Sequence, residues 1–425
     1  MTVTHYPKLG EQVYTHIAKN GLTIKVVPRP GFTRKMAYFV TDFGSIHTDF
    51  ELDGKMYHVP AGIAHFLEHK MFELPGRDVS AEFAALGANV NAFTSYDMTA
   101  YYFTCSENFY EGLALLLEFV STPYFPKESV ERERGIIDQE IGMNEDSPDT
   151  RVFEDLMQCL YENHPIRVPI LGTRESLRNI TPEMLEICHR AFYTPGNMIL
   201  CIVGDVDPEK VMALVDKVLG TERKTTGEKI CNWPEKMRAQ KQECACTMEV
   251  AMPTFQMAFK AEPAAKGVEA IRSEIVGDLA AEVLFGESSA LYLQLYEEGL
   301  IDTSFGGGFE STDDGAMLTC GGDSYDAQAI RAAIIHRAAA LTDEGISDAD
   351  FLRMKRSALG RRIRDLDSFD STCFRICAYH FDDFEYFDFP GVYENVQPEE
   401  VLEFLSRVVT KERCALSIID PKEET

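Results

Sequence analysis

Two histidines four positions apart give this sequence its clearest chemical signal. The segment from Ala61 to Phe72 reads AGIAHFLEHKMF, with His65, Glu68 and His69 on nearly one helical face. Side chains four apart on a helix lie one above the other, so both imidazoles can reach one metal ion. Imidazole combined with carboxylate suits zinc better than calcium or magnesium, which prefer oxygen ligands. The segment therefore predicts a zinc site with an acid beside it.

The alternative is that both histidines face solvent on an ordinary amphipathic helix. With 10 histidines in the chain, however, this pattern arises by chance only roughly 0.02 times. Burying two imidazoles and a carboxylate is also costly unless they coordinate or pair. Such burial is expected because the apolar neighbours are Ile63, Phe66, Leu67, Met71 and Phe72.

A third metal ligand must come from another element. Catalytic zinc usually has three protein ligands and a water in the fourth position. The densest source of carboxylates is the segment 131–146, which reads ERERGIIDQEIGMNED. Spacing alone leaves open which of these acids would bind.

The order His-x-x-Glu-His reverses the thermolysin-type motif and resembles the inverzincin, or pitrilysin/insulinase, metallopeptidase family. In that family a downstream helix carries Glu-Arg and, seven residues after this Glu, a second Glu that binds zinc. Glu133-Arg134 and Glu140 match this pattern. The site that the resemblance implies consists of Zn²⁺ bound by His65, His69 and Glu140, with Glu68 as the catalytic base and Glu133 as a supporting catalytic carboxylate.

A second stretch strengthens the resemblance. Family members carry Gly-Ala and then Asn-Ala-Phe-Thr on an edge strand that pairs with the substrate backbone, and residues 87–94 read GANVNAFT. A strand edge binds backbone N–H and C=O groups whatever the side chains are. Taken without the zinc motif, the stretch is also typical of an ordinary hairpin turning at Tyr96-Asp97. The implied substrate-binding residues are Asn91, Ala92, Phe93 and Thr94.

Helical and strand patterns alternate along the chain and predict an α+β fold with antiparallel strands. Asn20-Gly21 between two strand-like runs indicates a hairpin near the start. Helices are predicted at 61–74, 78–86, 110–120, 127–144, 149–161 and 182–192, and strands at 88–95, 98–105 and 198–203.

A repeated sequence segment predicts two similar halves. TPEMLE at 181–186 returns as QPEEVLE at 397–403, and each copy leads into an apolar strand-like run followed by Asp-Pro. The alternative is coincidence between two ordinary helix-to-strand units. We expect a zinc-bearing catalytic domain at 1–220, a basic linker at 221–242 and a similar domain without the metal motif at 243–425. Trp233 suggests that part of the linker packs on a domain surface.

Composition excludes several classes of protein. A net charge of −28 argues against nucleic acid as a partner. The 11 cysteines lack metal-binding or disulfide spacing, so reduced thiols are expected. No apolar run reaches the roughly 18 residues of a membrane span, and the start does not resemble a leader, so a cytoplasmic location without membrane contact is expected.

The resemblance implies a zinc-dependent endopeptidase that hydrolyses extended peptides or unfolded segments inside a closed chamber. Chains of this length supply half of such a chamber in the family, which implies a homodimer or a heterodimer with a related, metal-free subunit. Residues 295–302, LYEEGLID, match a family stretch but have neither Arg nor Tyr at the positions where family members contact the substrate. Either a partner supplies these side chains or the enzyme works without them. The alternatives are a non-catalytic core or assembly subunit and a hydrolase of another amide.

Overall fold

The structure is a computed structural model that describes residues 1–422. Its strands are β1 (Thr2–Tyr6), β2 (Glu11–Ile17), β3 (Thr23–Pro28), β4 (Lys35–Thr41), β5 (Asp49–Leu52), β6 (Lys55–His58), β7 (Glu73–Leu74), β8 (Arg77–Asp78), β9 (Asn89–Thr94), β10 (Thr99–Cys105), β11 (Met198–Gly204), β12 (Glu228–Lys229), β13 (Glu243–Met248), β14 (Thr254–Ala261), β15 (Gly306–Thr312), β16 (Gly315–Asp323) and β17 (Cys414–Pro421). Its α-helices are α1 (Ile63–Met71), α2 (Val79–Ala85), α3 (Phe109–Ser121), α4 (Lys127–Glu145), α5 (Pro148–Leu160), α6 (Arg174–Arg178), α7 (Pro182–Phe192), α8 (Pro208–Leu219), α9 (Val268–Phe285), α10 (Ala290–Glu297), α11 (Ala327–Glu344), α12 (Asp348–Arg364), α13 (Phe369–Phe381), α14 (Phe389–Asn395) and α15 (Pro398–Val408).

The chain has the α+β fold that its sequence pattern predicts. Each predicted helix and strand is present, with ends shifted by a few residues because caps and turns consume the outer positions. The predicted hairpin joins β2 to β3, and its last pair is Ile17 with Thr23. The Asn20-Gly21 pair therefore lies in a loop longer than a two-residue turn, where Gly21 takes a φ of 101°.

The described chain forms two compact units. Unit 1 contains Met1–Ile141, Pro169–Cys231 and Arg362–Asp388, and unit 2 contains Gly142–Val168, Asn232–Arg361 and the chain from Phe389 on. The expected linker is divided between them: β12 pairs with β5 in unit 1, whereas the ring of Trp233 lies against His164 in unit 2. The proposed domain limits at 220 and 243 remain a prediction about the two halves of the sequence.

Five neighbouring strands have the same order and directions in the sheets of the two units. Unit 1 has the strand order β1-β2-β3-β11-β4-β10-β9, and unit 2 has the order β13-β17-β14-β16-β15. In each sheet one neighbouring pair is parallel, β3 with β11 and β13 with β17, and the following strands are antiparallel. α7 precedes β11 as α15 precedes β17. The prediction of two similar halves is thus confirmed.

One helix in each unit comes from the other half of the sequence. In unit 1, α13 packs on β11 and β4. In unit 2, α5 packs on β17 and β14. The two helices hold equivalent places in the chain, since each is the last long helix before the repeated segment that contains α7 or α15. Each sheet therefore has a face covered by residues distant in sequence.

The metal motif belongs to unit 1, where α1 lies against β9. Almost every residue of α1 is buried in the apolar core of this unit. Within residues 1–422, all 11 cysteines of the sequence are free thiols.

Within residues 1–422, every helix is too short or too polar to cross a membrane.

Candidate metal centre

The start of α1 is fixed by a glycine. Gly62 caps the helix with a φ of 86°, a conformation that favours glycine. A Cβ atom on Gly62 would lie 2.4 Å from the carbonyl oxygen of Leu171, so the close approach of the two backbones also requires glycine. From this start the helix places His65 and His69 on one side, with ring centroids 4.5 Å apart.

A second helix brings two carboxylates to these imidazoles. On α4, Glu133 and Glu140 lie two turns apart on one face. Oε1 of Glu140 is 3.7 Å from Nε2 of His65, and Oε2 of Glu140 is 3.7 Å from Nε2 of His69. Oε1 of Glu133 is 3.0 Å from Nδ1 of His69. Glu140 thus faces both Nε2 atoms, while Glu133 holds the opposite nitrogen of His69.

The arrangement of donor atoms fits a zinc ion. One ligand atom from each of His65, His69 and Glu140 lies within 4.8 Å of the others. Zinc bonds of about 2 Å place the donors of a tetrahedral site roughly 3–4 Å apart. A carboxylate holding the second nitrogen of a metal-binding histidine fixes its tautomer, and Glu133 is positioned to do this for His69. Three protein ligands would leave one position for water.

The charges around the site also favour a cation. Among residues 1–422, the ion pairs recorded for Glu133 and Glu140 are with histidines, and neither carboxylate pairs with Lys or Arg. Burial, followed by the charge of His69, lowers the pKa of His65 to about 3, so this imidazole is neutral at pH 7. A divalent cation would satisfy this electron-rich cluster.

Glu68 lies beside the three ligand side chains and is 7% exposed. Burial raises the pKa of Glu68, although a hydrogen bond from Thr94 acts in the opposite direction. The Thr94 hydroxyl donates to Oε2 of Glu68 at 2.7 Å. Glu68 is therefore held on the β9 side of the imidazole pair, where it can exchange a proton with a group near the ligands.

The expected substrate-binding stretch forms the outer strand of the unit 1 sheet. Within the described residues β9 pairs only with β10, in a register that sets Thr94 opposite Thr99. β9 therefore has an open edge and is also part of the hairpin that turns at Tyr96-Asp97. Asn91 accepts a hydrogen bond from the N–H of Ala92 at 2.9 Å. A peptide adding to this edge would compete with that contact.

The side chains of β9 alternate between the two faces of the sheet. Ala92 packs against the core beneath α1, and Thr94 contacts Glu68. The ring of Phe93 lies on the opposite face, 5.9 Å from the ring of Phe374 on α13. Phe93 would thus contribute its backbone, and not its ring, to a peptide near the imidazoles.

Two contacts at the site were not expected from the sequence. The first is the hydrogen bond between Thr94 and Glu68. The second is the hydrogen bond from the buried Lys70, directly after His69, to Ser129. The only sequence signal for the second was a lysine inside a mostly buried helix. One of its partners, Glu73, is three residues away, but the other, Ser129, lies on a distant helix, so local spacing could not identify that contact.

Comparison with known proteins agrees with the fold and the motif. Residues 54–174 match the family model of insulinase (peptidase family M16), and residues 179–358 match that of the M16 inactive domain. YmfH, an uncharacterized zinc protease of Bacillus subtilis, is 36% identical over 98% of this chain and 98% of that protein. The chain therefore belongs to the insulinase, or M16, peptidase family, as its motifs suggest.

Solved structures show the same relationship. An M16-like peptidase from Alicyclobacillus acidocaldarius superposes with a TM-score of 0.92 at 31% identity, covering 97% of this chain and 99% of that chain. Pitrilysin matches in fold alone, with a TM-score of 0.81 at 17% identity over 100% of this chain and 46% of that chain. The chain is thus a half-size member of the family.

Proposed function

We propose that this chain is a zinc-dependent endopeptidase. The observation that carries the proposal is the convergence of His65, His69 and Glu140, from two helices, on one point, with Glu68 beside them. The zinc protease name of the Bacillus subtilis relative supports the choice of metal. Zinc bound there would polarise the scissile carbonyl and lower the pKa of the attacking water toward about 7.

Each nearby side chain then has a specific task. Glu68 accepts the proton of the attacking water and passes it to the leaving amine. Thr94 holds the Glu68 carboxylate in place through its hydroxyl. Glu133 orients His69 so that Nε2 faces Glu140.

The open edge of β9 favours an extended peptide as the substrate. Residues Asn91–Thr94 would add the peptide backbone to the sheet, which selects unfolded segments because folded chains have no free backbone. We further propose that a dimer encloses this site, with either an identical or a metal-free partner. A partner would supply the Arg and Tyr that are absent from the matching positions of residues 295–302. One absent oxyanion donor costs about 2.7–4 kcal/mol of transition-state stabilisation.

The test measures zinc content and peptide cleavage together. The wild type should hold one zinc per chain and cleave a mixed peptide library, alone or with a metal-free relative. Glu68→Gln should keep the zinc and lose cleavage, whereas Glu140→Gln should lose both. Glu131→Gln is the matched control on the same helix, because Glu131 is exposed and pairs with Arg134. Cleavage that persists in Glu68→Gln would contradict the proposed role of this carboxylate.

A second candidate is a non-catalytic core or assembly subunit. Two observations favour it: the match of residues 179–358 to the M16 inactive domain and the missing Arg and Tyr. This candidate predicts no cleavage with any partner and no change on Glu68→Gln. A third candidate is a hydrolase of another amide. It predicts that only non-peptide amides are cleaved, and that Glu68→Gln abolishes this cleavage. The cytoplasmic location stays a prediction.

A further inference from the structure

A buried cation directly follows the second histidine of the motif. Lys70 is 1% exposed, although its ammonium group would ordinarily be in water. Its Nζ atom donates to Oε2 of Glu73 and to the hydroxyl of Ser129. The charge is thus compensated by a carboxylate near the end of α1 and by a hydroxyl in the first turns of α4.

Lys70 is part of a polar cluster of four side chains, which we call the Lys70 cluster. The Ser129 hydroxyl donates to Oε2 of Glu73. Nη2 of Arg132 donates to the Ser129 hydroxyl at 3.1 Å and lies 3.4 Å from Oε2 of Glu73. Ser129 is 3% exposed, so water cannot readily replace its contacts. The members of the cluster are Lys70, Glu73, Ser129 and Arg132.

The cluster and the metal site connect the same two helices. The consecutive residues His69 and Lys70 on α1 contact Glu133 and Ser129, which lie one turn apart on α4. Two contacts one turn apart fix both the translation of α4 along α1 and its rotation. Glu140 lies two turns beyond Glu133 and has a side chain that is 37% exposed. Its position therefore depends on how the first turns of α4 are held.

We propose that Lys70 is a positioning residue that sets zinc affinity by holding α4 in the register that brings Glu140 to the imidazole pair. The inference rests on the proposed zinc site and adds a residue that does not touch the metal. Lys70 acts through Ser129 and the rigid body of α4. Its loss lets α4 shift, which weakens the contribution of the third ligand while the two histidines stay in place on α1.

Electrostatics alone predicts that the loss of Lys70 would strengthen zinc binding, which is the opposite of the proposed effect. Removing a positive charge close to a divalent cation strengthens binding of that cation, because like charges repel. Displacement of Glu140 through α4 weakens zinc binding. Changes to groups that support metal ligands typically cost 10–100-fold in metal affinity. The direction of the change in the zinc dissociation constant therefore separates the two effects.

The experiment measures the zinc dissociation constant by competition with a chelator for the full-length chain. Lys70→Met keeps the length and apolar stem of the side chain, and Glu73, with a side chain 30% exposed, can regain water. Ser129→Ala removes the α4 partner without changing the charge and serves if Lys70→Met does not fold. The matched control is Arg77→Met, which also removes a positive charge. Arg77 pairs with Glu82 and Glu118, which lie outside α1 and α4.

We expect both Lys70→Met and Ser129→Ala to weaken zinc binding about tenfold, and Arg77→Met to leave it unchanged. The variant with both substitutions should bind zinc about as weakly as Lys70→Met, because each substitution removes the same hydrogen bond between Lys70 and Ser129. Unchanged or tighter zinc binding in both single variants would overturn the role of Lys70, even if their unfolding temperatures fall. A wild-type chain that binds no zinc would overturn the proposed function and this inference with it.

Discussion

The hydroxyl of Thr94 donates a hydrogen bond to Oε2 of Glu68 at 2.7 Å. This contact joins the outer strand of the unit 1 sheet to the carboxylate proposed as the base. A peptide bound along β9 would therefore lie in a fixed register relative to Glu68. The relationship links the proposed binding of substrate to the proposed proton transfer.

Replacing this hydroxyl should impair catalysis more than binding. We expect Thr94→Val to lower kcat roughly 10–100-fold with little change in KM, since a hydrogen bond to a charged group contributes about 1.5–3 kcal/mol. Thr94→Ser should restore most of the rate because it keeps the hydroxyl. Steady-state kinetics on a peptide substrate measures both constants. Thr15→Val, on β2 of the same sheet, is the control; a rate in Thr94→Ser as low as in Thr94→Val would argue against the hydrogen bond.

Glu133 should influence zinc through His69. Because Oε1 of Glu133 is 3.0 Å from Nδ1 of His69, Glu133→Gln removes the negative charge that favours the metal-binding tautomer. We expect zinc affinity to fall 10–100-fold. Chelator competition on the purified chain measures the change. Glu131→Gln, two positions away on α4, should bind zinc as the wild type does, and equal affinities in all three chains would contradict the orienting role.

Gly62 should be required for the start of α1. Gly62→Ala adds a Cβ atom 2.4 Å from the carbonyl oxygen of Leu171, at a φ of 86°. We expect a lower unfolding temperature and weaker zinc binding, because the clash displaces the helix that carries both histidines. Gly76→Ala separates the two causes, since Gly76 has a φ of 69° but nothing within 4 Å of its Cβ position. Similar effects in both variants would indicate that backbone strain, and not the clash, is responsible.

In unit 2, Glu235 should stabilise the segment after Cys231. Nζ of Lys260 lies 2.8 Å from Oε2 of Glu235, and the two side chains are 1% and 5% exposed. Removing one partner of a buried pair costs about 3–5 kcal/mol. We therefore expect Glu235→Gln to unfold at lower urea concentration at pH 7. Glu249→Gln, whose side chain is 88% exposed, should unfold with the wild type.

The pH dependence of this pair follows from the pKa of Glu235. Burial alone would raise that pKa, but the Lys260 ammonium and the backbone N–H groups of residues 162–164 lower it below its ordinary value of 4.5. A carboxyl group with a lowered pKa stabilises the fold above its unfolded pKa and loses this effect as the pH falls through the folded pKa. The difference between wild type and Glu235→Gln should thus be largest near pH 7 and shrink below pH 4.5. A difference that grows on acidification would contradict this assignment.

Local pattern was enough to predict α1, because His65 and His69 are four residues apart and their helix is apolar on most sides. The repeated segments that became α7 and α15 predicted the two similar halves for the same reason. Glu140 came from the resemblance to a family, since spacing within 131–146 left several acids open. The contact between Lys70 and Ser129 and the exchange of α5 and α13 depend on pairing between distant segments, which local periodicity does not encode.

Anomalous diffraction at the zinc absorption edge, on crystals of the zinc-loaded chain, tests the central proposal most directly. We predict one anomalous peak within about 2 Å of Nε2 of His65, Nε2 of His69 and a carboxylate oxygen of Glu140. A zinc-loaded crystal with no peak between these three side chains, or with a peak that Glu140 does not reach, would contradict the account.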